Sequence, residues 1–566
     1  MSALFHLYLC GRMAAEWWIF MKGMKPELLL SLRHYSTQKL VKDLIAGIIV
    51  AIIALPLSIA LALASGVSPE QGLYTAIVAG FVISALGGSK VQIAGPTAAF
   101  ATIVAGIVAK NGMDGLAVAT LLAGAILVIM GLCKMGSLIK FIPATITAGF
   151  TAGIAVTIVI GQIKDFLGLT FQNAPIETMD KVKEVAATIG STNLYALPVG
   201  AVALAILILF PLLCKKIPAS LIAVIATSAL VKLCDLPVNT IGDLYTISSA
   251  PPAFHVPVMS MDTVAAVLPD AFTIAILAAI ESLLSAVVAD EMIGATHNSN
   301  MELVGQGVGN AASALFGGIP ATGAIARTAA NIKNGGCTPV AGMVHAVVLL
   351  LVLMLLMPYA ALIPMPCIAA ILFQVAYNMS GWRTVVKTCK SAPASDIAVL
   401  LITFVLTVVF DLVVAIVVGL TLACLIFMKR MSDVSHFKEW DYPENDGRKK
   451  AVPANVRVYD VMGPMFFGAA DKIPHAETCP GKNVMILRMT KVPALDVTAL
   501  NSLSRLYREC QDQGIQMVFS HVNPQPMKVM RRSGFLKMVG KENFLPDIDA
   551  ALERGAALAE KADTNA

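Results

Sequence analysis

Charge is scarce in this chain. Asp, Glu, Lys and Arg make up 14% of its 566 residues, against about a quarter in an ordinary soluble domain. A water-exposed surface for the whole chain cannot be built from so few. Cysteine pairing is also absent. The ten cysteines (Cys10, Cys133, Cys214, Cys234, Cys337, Cys367, Cys389, Cys424, Cys479 and Cys510) are scattered with no CxxC or Cys/His cluster, so neither a zinc site nor a disulfide framework is expected. The polar C-terminal stretch has no GxxxxGK[ST] or GxGxxG, which leaves transport without a visible ATP motor. No nucleophile–base or metal-ligand constellation appears among the apolar segments. No enzyme activity and no cofactor are therefore expected. The net charge of +5 calls for no nucleic-acid partner. The first 20 residues contain "WWIF" but no long apolar run with a cleavage site, so no cleaved signal peptide is expected. Met21 and Met24 stay open as alternative starts.

Long apolar runs are what the chain does have. From about Lys42 to Arg430 they dominate, as in "SDIAVLLITFVLTVVFDLVVAIVVGLTLACLIFM" (395–428). At about 20 residues per crossing, that run alone suffices for two. Apolar segments fall near 42–64, 71–87, 96–109, 114–132, 141–163, 194–213, 217–232, 264–289, 302–316, 324–334, 338–357, 362–379, 394–411 and 412–429. The expectation is a polytopic all-α membrane protein with 14 spans. Two segments, 96–109 and 324–334, are too short to cross at 1.5 Å per residue. An even count puts both termini on one side. With the N-terminus inside, the cytoplasmic stretches hold Arg33, Lys39, Lys42, Lys134, Lys140, Lys215, Lys216, Lys333, Arg383, Lys387, Lys390, Lys429 and Arg430. The other side holds Lys110, Lys164, Lys181, Lys183 and Lys232. The excess places both termini in the cytoplasm.

The two short segments occupy matching places. "SALGG" (84–88) precedes "KVQIAGPTAAF" (90–100), and "SALFGG" (313–318) precedes "IPATGAIART" (319–328). Pro56 lies 40 positions before Pro96, and Glu281 lies 39 before Pro320. A seven-span unit that recurs once must be inverted, because an odd number of crossings reverses its direction. Paired Gly/Pro-interrupted segments point to a transporter's binding site. The reading is two extended approaches to the bilayer midplane, with Gly95-Pro96 starting one half-helix and Pro320-Ala-Thr-Gly the other. Each N-terminus offers unpaired N–H groups and partial positive charge. Two facing ends make an anion site.

Arg327, about two turns into the second half-helix, adds a full positive charge. The alternatives for it are a structural ion pair or an interfacial position. Glu281, with Ile274–Ile280 before it and Leu283–Val288 after it, is read as a proton-coupling site: protonated, it stops repelling the anion. The alternative is a carboxyl locked to Arg327 or to backbone. Ser285, one turn on, is placed to hydrogen-bond a substrate or that carboxyl. Asp270 and Asp411 near span ends read as solvated or interfacial, and His345 as a packing histidine.

After Arg430 the composition changes. Residues 1–40 read as a cytoplasmic N-terminal segment, 41–430 as the transport domain, 431–452 as a polar linker, and 453–562 as a small α/β domain. Strands are expected at 455–469, 482–489 and 515–522, with helices at 499–513, 526–535 and 547–560.

Together "LPLSIALALASGVSPEQGLY" (55–74), "GPTAAF" (95–100), "NSNMELVGQGVGN" (298–310), "GGIPATGAIARTAANIKNGG" (317–336) and "VPALDVTAL" (492–500) give a pattern that resembles the SulP, or solute-carrier-26, family of anion transporters. Within it the pattern is most similar to bacterial aerobic C4-dicarboxylate transporters, which share a stretch like "AIESLL". The resemblance implies a seven-plus-seven inverted repeat divided into core and gate domains. It also implies an elevator-like movement of the core, a homodimer, and a C-terminal STAS domain. By matching motif, Gly95, Pro96, Thr97 and Ala98 of the third span, Ala326 and Arg327 of the tenth, and Leu57 and Leu61 of the first would line the substrate. Glu281 would take the acidic coupling position. Leu57 and Ala326 are apolar where some relatives are polar. Thr498 matches the phospho-acceptor position of the tail, either regulatory or simply part of a helix start.

These readings converge on a proton-coupled symporter of a small anion (C4-dicarboxylate, sulfate or bicarbonate) in a bacterial inner membrane. Its partners would be the bilayer, protons, a second copy, and a cytoplasmic protein on the tail. An exchanger or uncoupled conductance is the alternative within transport. A non-transporting scaffold for the tail is the alternative outside it.

Overall fold

The computed structural model describes residues 24–137, 143–173, 175, 177–213, 218–410, 412–440, 452–474 and 483–564. Lys140, Lys215, Lys216, Asp411, Cys10, Cys214, Cys479 and "WWIF" lie outside them. The chain divides into two compact units, Met1–Leu420 and Thr421–Ala566.

The apolar segments form α1 (Thr37–Ala64), α2 (Pro69–Leu86), α3 (Ala101–Leu132), α4 (Ala144–Leu167), α5 (Ala196–Leu213), α6 (Ala219–Leu233), α7 (Met261–Ile293), α8 (Ser299–Leu315), α9 (Ile325–Lys333), α10 (Val340–Ala360), α11 (Met365–Ser380), α12 (Ala394–Val409) and α13 (Leu412–Val434). Each of the fourteen expected segments falls on one of these helices or on one limb of α3. That helix bends at Gly112, whose φ of 68° and ψ of −173° break the spiral. Proline sets many of the starts. Pro143, Pro218, Pro339, Pro364 and Pro393 each stand immediately before a helix. The residue before a proline is pushed out of the helical region, so the preceding turn cannot run on. Seven helices among the described residues are long and apolar enough to cross a membrane. Two short helices, Thr178–Thr188 and Trp382–Ser391, were not foreseen; both are polar interruptions between apolar segments.

Packing follows the repeat. α3 lies on α7 and α8, while α10 lies on α1 and α2, the same relation with the halves exchanged. A second group joins α4 to α11 and α12, and α5 to α6 and α11. The first unit is thus a polytopic helical membrane fold. Small residues let the α3–α8 pair close tightly. A Cβ on Gly124 would sit 2.6 Å from the Gly307 carbonyl oxygen, and one on Gly307 2.5 Å from that of Gly124. Between membrane helices, such backbone approach supplies the dispersion contact that lipid cannot.

In the second unit, β3 (His436–Glu439), β4 (Val456–Met462), β5 (Val484–Lys491), β6 (Gln516–Ser520) and β7 (Phe544–Leu545) form one sheet in that order. β3 pairs antiparallel with β4 and the remaining pairs are parallel. Helices α14 (Val497–Asp512), α15 (Pro524–Arg532), α16 (Phe535–Val539) and α17 (Ile548–Thr564) complete it. Strand alternation builds two cores. Met485 and Leu487 join one with Leu503, Leu506 and Phe519, and Val484 and Ile486 join the other with Leu552 and Ala559. Three expectations need correcting. The polar stretch read as linker contributes β3, where Phe437 alone is half-buried among exposed polar side chains, too little to make a hydrophobic pattern. The strand expected over 455–469 stops at Met462, where Gly463 at φ 83° and Pro464 break the ladder. The sequence between 535 and 545 holds a further short helix and the edge strand β7.

Candidate functional site

In the membrane unit, two extended segments meet. β1 (Ala94–Gly95) pairs antiparallel with β2 (Thr322–Gly323), Ala94 opposite Gly323 and Gly95 opposite Thr322. The Ala324 N–H extends the ladder to the Ile93 carbonyl at 2.8 Å. From this crossing each chain enters a helix, through Ala98–Phe100 into α3 and directly into α9. Two helix N-termini therefore start at one place, with their partial positive ends toward it.

Such irregular backbone persists at membrane depth only where protein or water satisfies it, and here side chains do. Ahead of β1, the Glu302 carboxylate accepts from Gly88 N at 2.9 Å and Ser89 N at 3.2 Å. Asn331 Nδ2 donates to the Val91 carbonyl at 2.8 Å, and Ile93 N donates to Thr328 Oγ1 at 3.0 Å. Ahead of β2, Ile319 N donates to Thr75 Oγ1 at 2.7 Å, and Ser313 Oγ donates to the Ile319 carbonyl at 2.8 Å. Asn310 holds both polar groups of Ala321: Ala321 N donates to Oδ1 at 2.8 Å, and Nδ2 donates to the Ala321 carbonyl at 2.9 Å. The approach to β1 is thus fixed by residues of the second half.

Because residues 319–323 are held extended, the second half-helix starts at Ile325 rather than at Pro320. Arg327 consequently lies in its first turn, not two turns in. Its side chain is 2% exposed. Nη2 donates to the Pro96 carbonyl at 3.1 Å and lies 3.5 Å from Ser58 Oγ. Nε and Nη1 make no hydrogen bond, and no carboxylate pairs with the guanidinium among the described residues. A Cβ on Gly95 would fall 2.3 Å from Nη1, so glycine makes room for the cation. A buried charge without an ion partner is costly.

Glu281 is not locked to Arg327. Its Oε2 accepts from Thr97 Oγ1 at 2.9 Å and from Thr322 Oγ1 at 2.9 Å. One hydroxyl comes from each broken segment, so this carboxyl joins both halves. Ser282, its neighbour on α7, accepts from Gly323 N at 3.1 Å. Ser285 does not reach the carboxyl: it is buried and its hydroxyl lies 3.5 Å from Thr328 Oγ1.

Gly95, Pro96, Thr97, Glu281 and Arg327 are therefore drawn together. Ala98 is buried behind Thr97, while Ala326 is exposed beside Ile325 at the first turn of α9. Leu57 is half-buried and Leu61 is 2% exposed, flanking Ser58 on α1. His345 is buried with neither ring nitrogen hydrogen-bonded. Sequence reasoning missed Ser58, Ser282, Asn310, Glu302, Thr322, Thr328 and Asn331, although the last five sit inside the quoted glycine-rich stretches. In the tail, Thr498 is exposed in the first turn of α14. The helix start is held by Asp496 instead, which accepts from Ala499 N and Phe467 N at 2.8 and 2.9 Å.

Comparison with known proteins decides the family. Residues 40–403 match the sulfate permease family. The chain belongs to that family. This sulfate permease family member also matches the STAS domain over residues 448–551. Its family is one of transporters, not enzymes. It is 40% identical to the "Putative sulfate transporter YvdB" of Bacillus subtilis (strain 168), over 91% of this chain and 98% of that one. It is 30% identical to the bicarbonate transporter BicA of Picosynechococcus sp. (strain ATCC 27264 / PCC 7002 / PR-6), over 90% and 94%. Neither relative is named for a dicarboxylate. Its fold is similar to that of the murine Solute Carrier 26 family member A9 anion transporter in the inward-facing state, with TM-score 0.86 and 18% identity over 95% of each chain.

Proposed function

We propose that this protein is a secondary active transporter that carries a small oxyanion, sulfate or bicarbonate, together with a proton across a bacterial cytoplasmic membrane, with both termini inside. The observation that carries the reading is the unpaired Arg327 guanidinium at the crossing of the two broken segments. An anion arriving there meets one full positive charge and two helix N-termini. Glu281 supplies the coupling. As a carboxylate it repels the anion; protonated, it keeps its threonine contacts and removes that repulsion. Its bonds to Thr97 and Thr322 tie this change to both halves of the site at once. Movement of the α1–α3 and α7–α10 group past the α4–α6 and α11–α13 group, in elevator fashion and within a homodimer, would carry the site across.

The relatives' names support sulfate and bicarbonate as the first substrates to test, and C4-dicarboxylate as the third. The experiment is uptake of labelled sulfate, bicarbonate and succinate into liposomes, with and without an inward proton gradient, for wild type and Glu281→Gln. Accumulation of one anion only with the gradient, lost in the variant, is the expected result. Uptake indifferent to the gradient, or concentrative uptake by the variant, would instead make the protein an exchanger or conductance and Glu281 a structural residue.

A further inference from the structure

The helix Trp382–Ser391, "WRTVVKTCKS", carries two parallel stripes. Trp382, Val385, Val386 and Cys389 recur at helical spacing, and so do Arg383, Lys387 and Lys390; there is no acidic residue. None of its residues is buried. Trp382 is 45% and Val386 42% exposed, and the Arg383 guanidinium lies 5.5 Å from the Trp382 ring centre. None of the three cations forms an ion pair among the described residues. Gly381 alone separates it from α11, and Ala392 and Pro393 alone separate it from α12. At 3.8 Å between consecutive Cα atoms, such connections cannot lift it off the surface where the two helices emerge.

The inverted repeat provides its own comparison. The helix Thr178–Thr188 occupies the equivalent place in the first half, between α4 and α5, and therefore on the opposite side of the membrane. Both helices pack on α4. That one is charge-balanced, with Asp180 and Glu184 against Lys181 and Lys183. Lys183 Nζ pairs with Asp180 at 2.8 Å, and the Glu184 carboxylate accepts from Gln172 N, Asn173 N and Asn173 Nδ2. It folds onto its own loop. Its counterpart keeps three cations and a Trp–Val stripe with no ion pair among the described residues.

We propose that Trp382–Ser391 is a binding site for the phosphate headgroups of anionic lipid: the Trp–Val stripe enters the headgroup–acyl boundary, and Arg383, Lys387 and Lys390 hold lipid phosphates. An amphipathic helix with a cationic face takes this posture in an interface. Each Lys or Arg near an anionic leaflet contributes about 1 kcal/mol, or about fivefold in binding. The inference goes beyond the transport reading and is scored without any transported substrate.

The test uses the full chain in mixed micelles containing phosphatidylglycerol and phosphatidylcholine, with retained lipid counted by native mass spectrometry. Wild type should retain phosphatidylglycerol preferentially. The triple variant Arg383→Gln, Lys387→Gln, Lys390→Gln should lose tenfold or more of it, whereas Lys181→Gln with Lys183→Gln should retain it unchanged. Millimolar inorganic phosphate should not displace it, separating a lipid from a free anion. Quenching by brominated phosphatidylglycerol, compared between wild type and Trp382→Phe, gives a second reading that leaves the cations intact. Unchanged retention in the triple variant overturns the proposal, as would be the case for a helix that docks an acidic protein segment. Displacement by inorganic phosphate, or no quenching assignable to Trp382, overturns it as well.

Discussion

Removing the Asn310 side chain tests whether the site stands on its side-chain tethers. Asn310 is fully buried in α8 and grips both backbone polar groups of Ala321, one residue before Thr322. Its third contact, Nδ2 to the Gln306 carbonyl, is to a helical acceptor that keeps its own ladder bond. Asn310→Ala therefore leaves one buried N–H and one buried carbonyl unsatisfied. At about 1–3 kcal/mol for each, the loss comes to roughly 2–6 kcal/mol. Asn310→Asp keeps the acceptor for Ala321 N but sets an oxygen against the Ala321 carbonyl, so it should rescue little. Denaturant unfolding in mixed micelles gives the stability, and liposome uptake reports Thr322 placement. Thr75→Val removes the neighbouring tether on Ile319. Both substitutions free the same five-residue approach, so the double variant should fall short of the sum of the singles. A loss below about 1 kcal/mol with normal uptake would refute the reasoning. The extended segment would then be held by the β1–β2 ladder alone.

Two further predictions concern the parts outside the bilayer. In the tail, Asp496→Ala removes the cap of α14 and should cost about 0.5–2 kcal/mol. Thr498→Ala should cost almost nothing; Trp440 fluorescence during urea unfolding reports both. In the 168–195 loop, the Asn173 side-chain bond, with the Asn173 and Gln172 amides, holds the Glu184 carboxyl below the usual carboxylate value. Its folded value lies below its unfolded one, so the contribution is present above about pH 4.3 and lost as pH falls through the folded value. Hydrogen exchange at Gln172 N and Asn173 N, corrected for intrinsic rates, should show protection at pH 6 that fades on acidification and is absent in Glu184→Gln.

The spans were legible because hydropathy and proline are local signals. Every apolar segment became a helix, and the matched Gly/Pro interruptions marked where the two would break. The details of the site were not legible, for reasons that particular residues make clear. Pro320 looks like a helix start, yet Asn310, Ser313 and Thr75 draw the next residues into an extended path, and no window around Pro320 contains Thr75. Glu281 and Arg327 invite an ion pair on charge alone. What separates them is that Thr97 and Thr322 reach the carboxyl while Pro96 and Ser58 take the guanidinium. Ser285 was placed by helical spacing from Glu281, but Thr328 lies on its side of α7. Likewise β3, three exposed polar residues around a half-buried Phe437, becomes a strand only because the edge of β4 lies open to it.

The cross-bracing of the site also sets a schedule for making the protein. Val91, Ile93, Gly88 and Ser89 find their hydrogen-bond partners in Asn331, Thr328 and Glu302, more than 200 positions downstream. During synthesis the first broken segment leaves the ribosome long before these groups exist. Its open amides and carbonyls must meanwhile be kept by water, by the insertion machinery, or outside the hydrocarbon altogether. The first seven spans are thus not a folded half that waits for its twin. The crossing closes only when the tenth segment arrives, so a nascent chain stalled before residue 331 should expose 91–95, all buried in the folded protein, to labelling that the finished protein excludes.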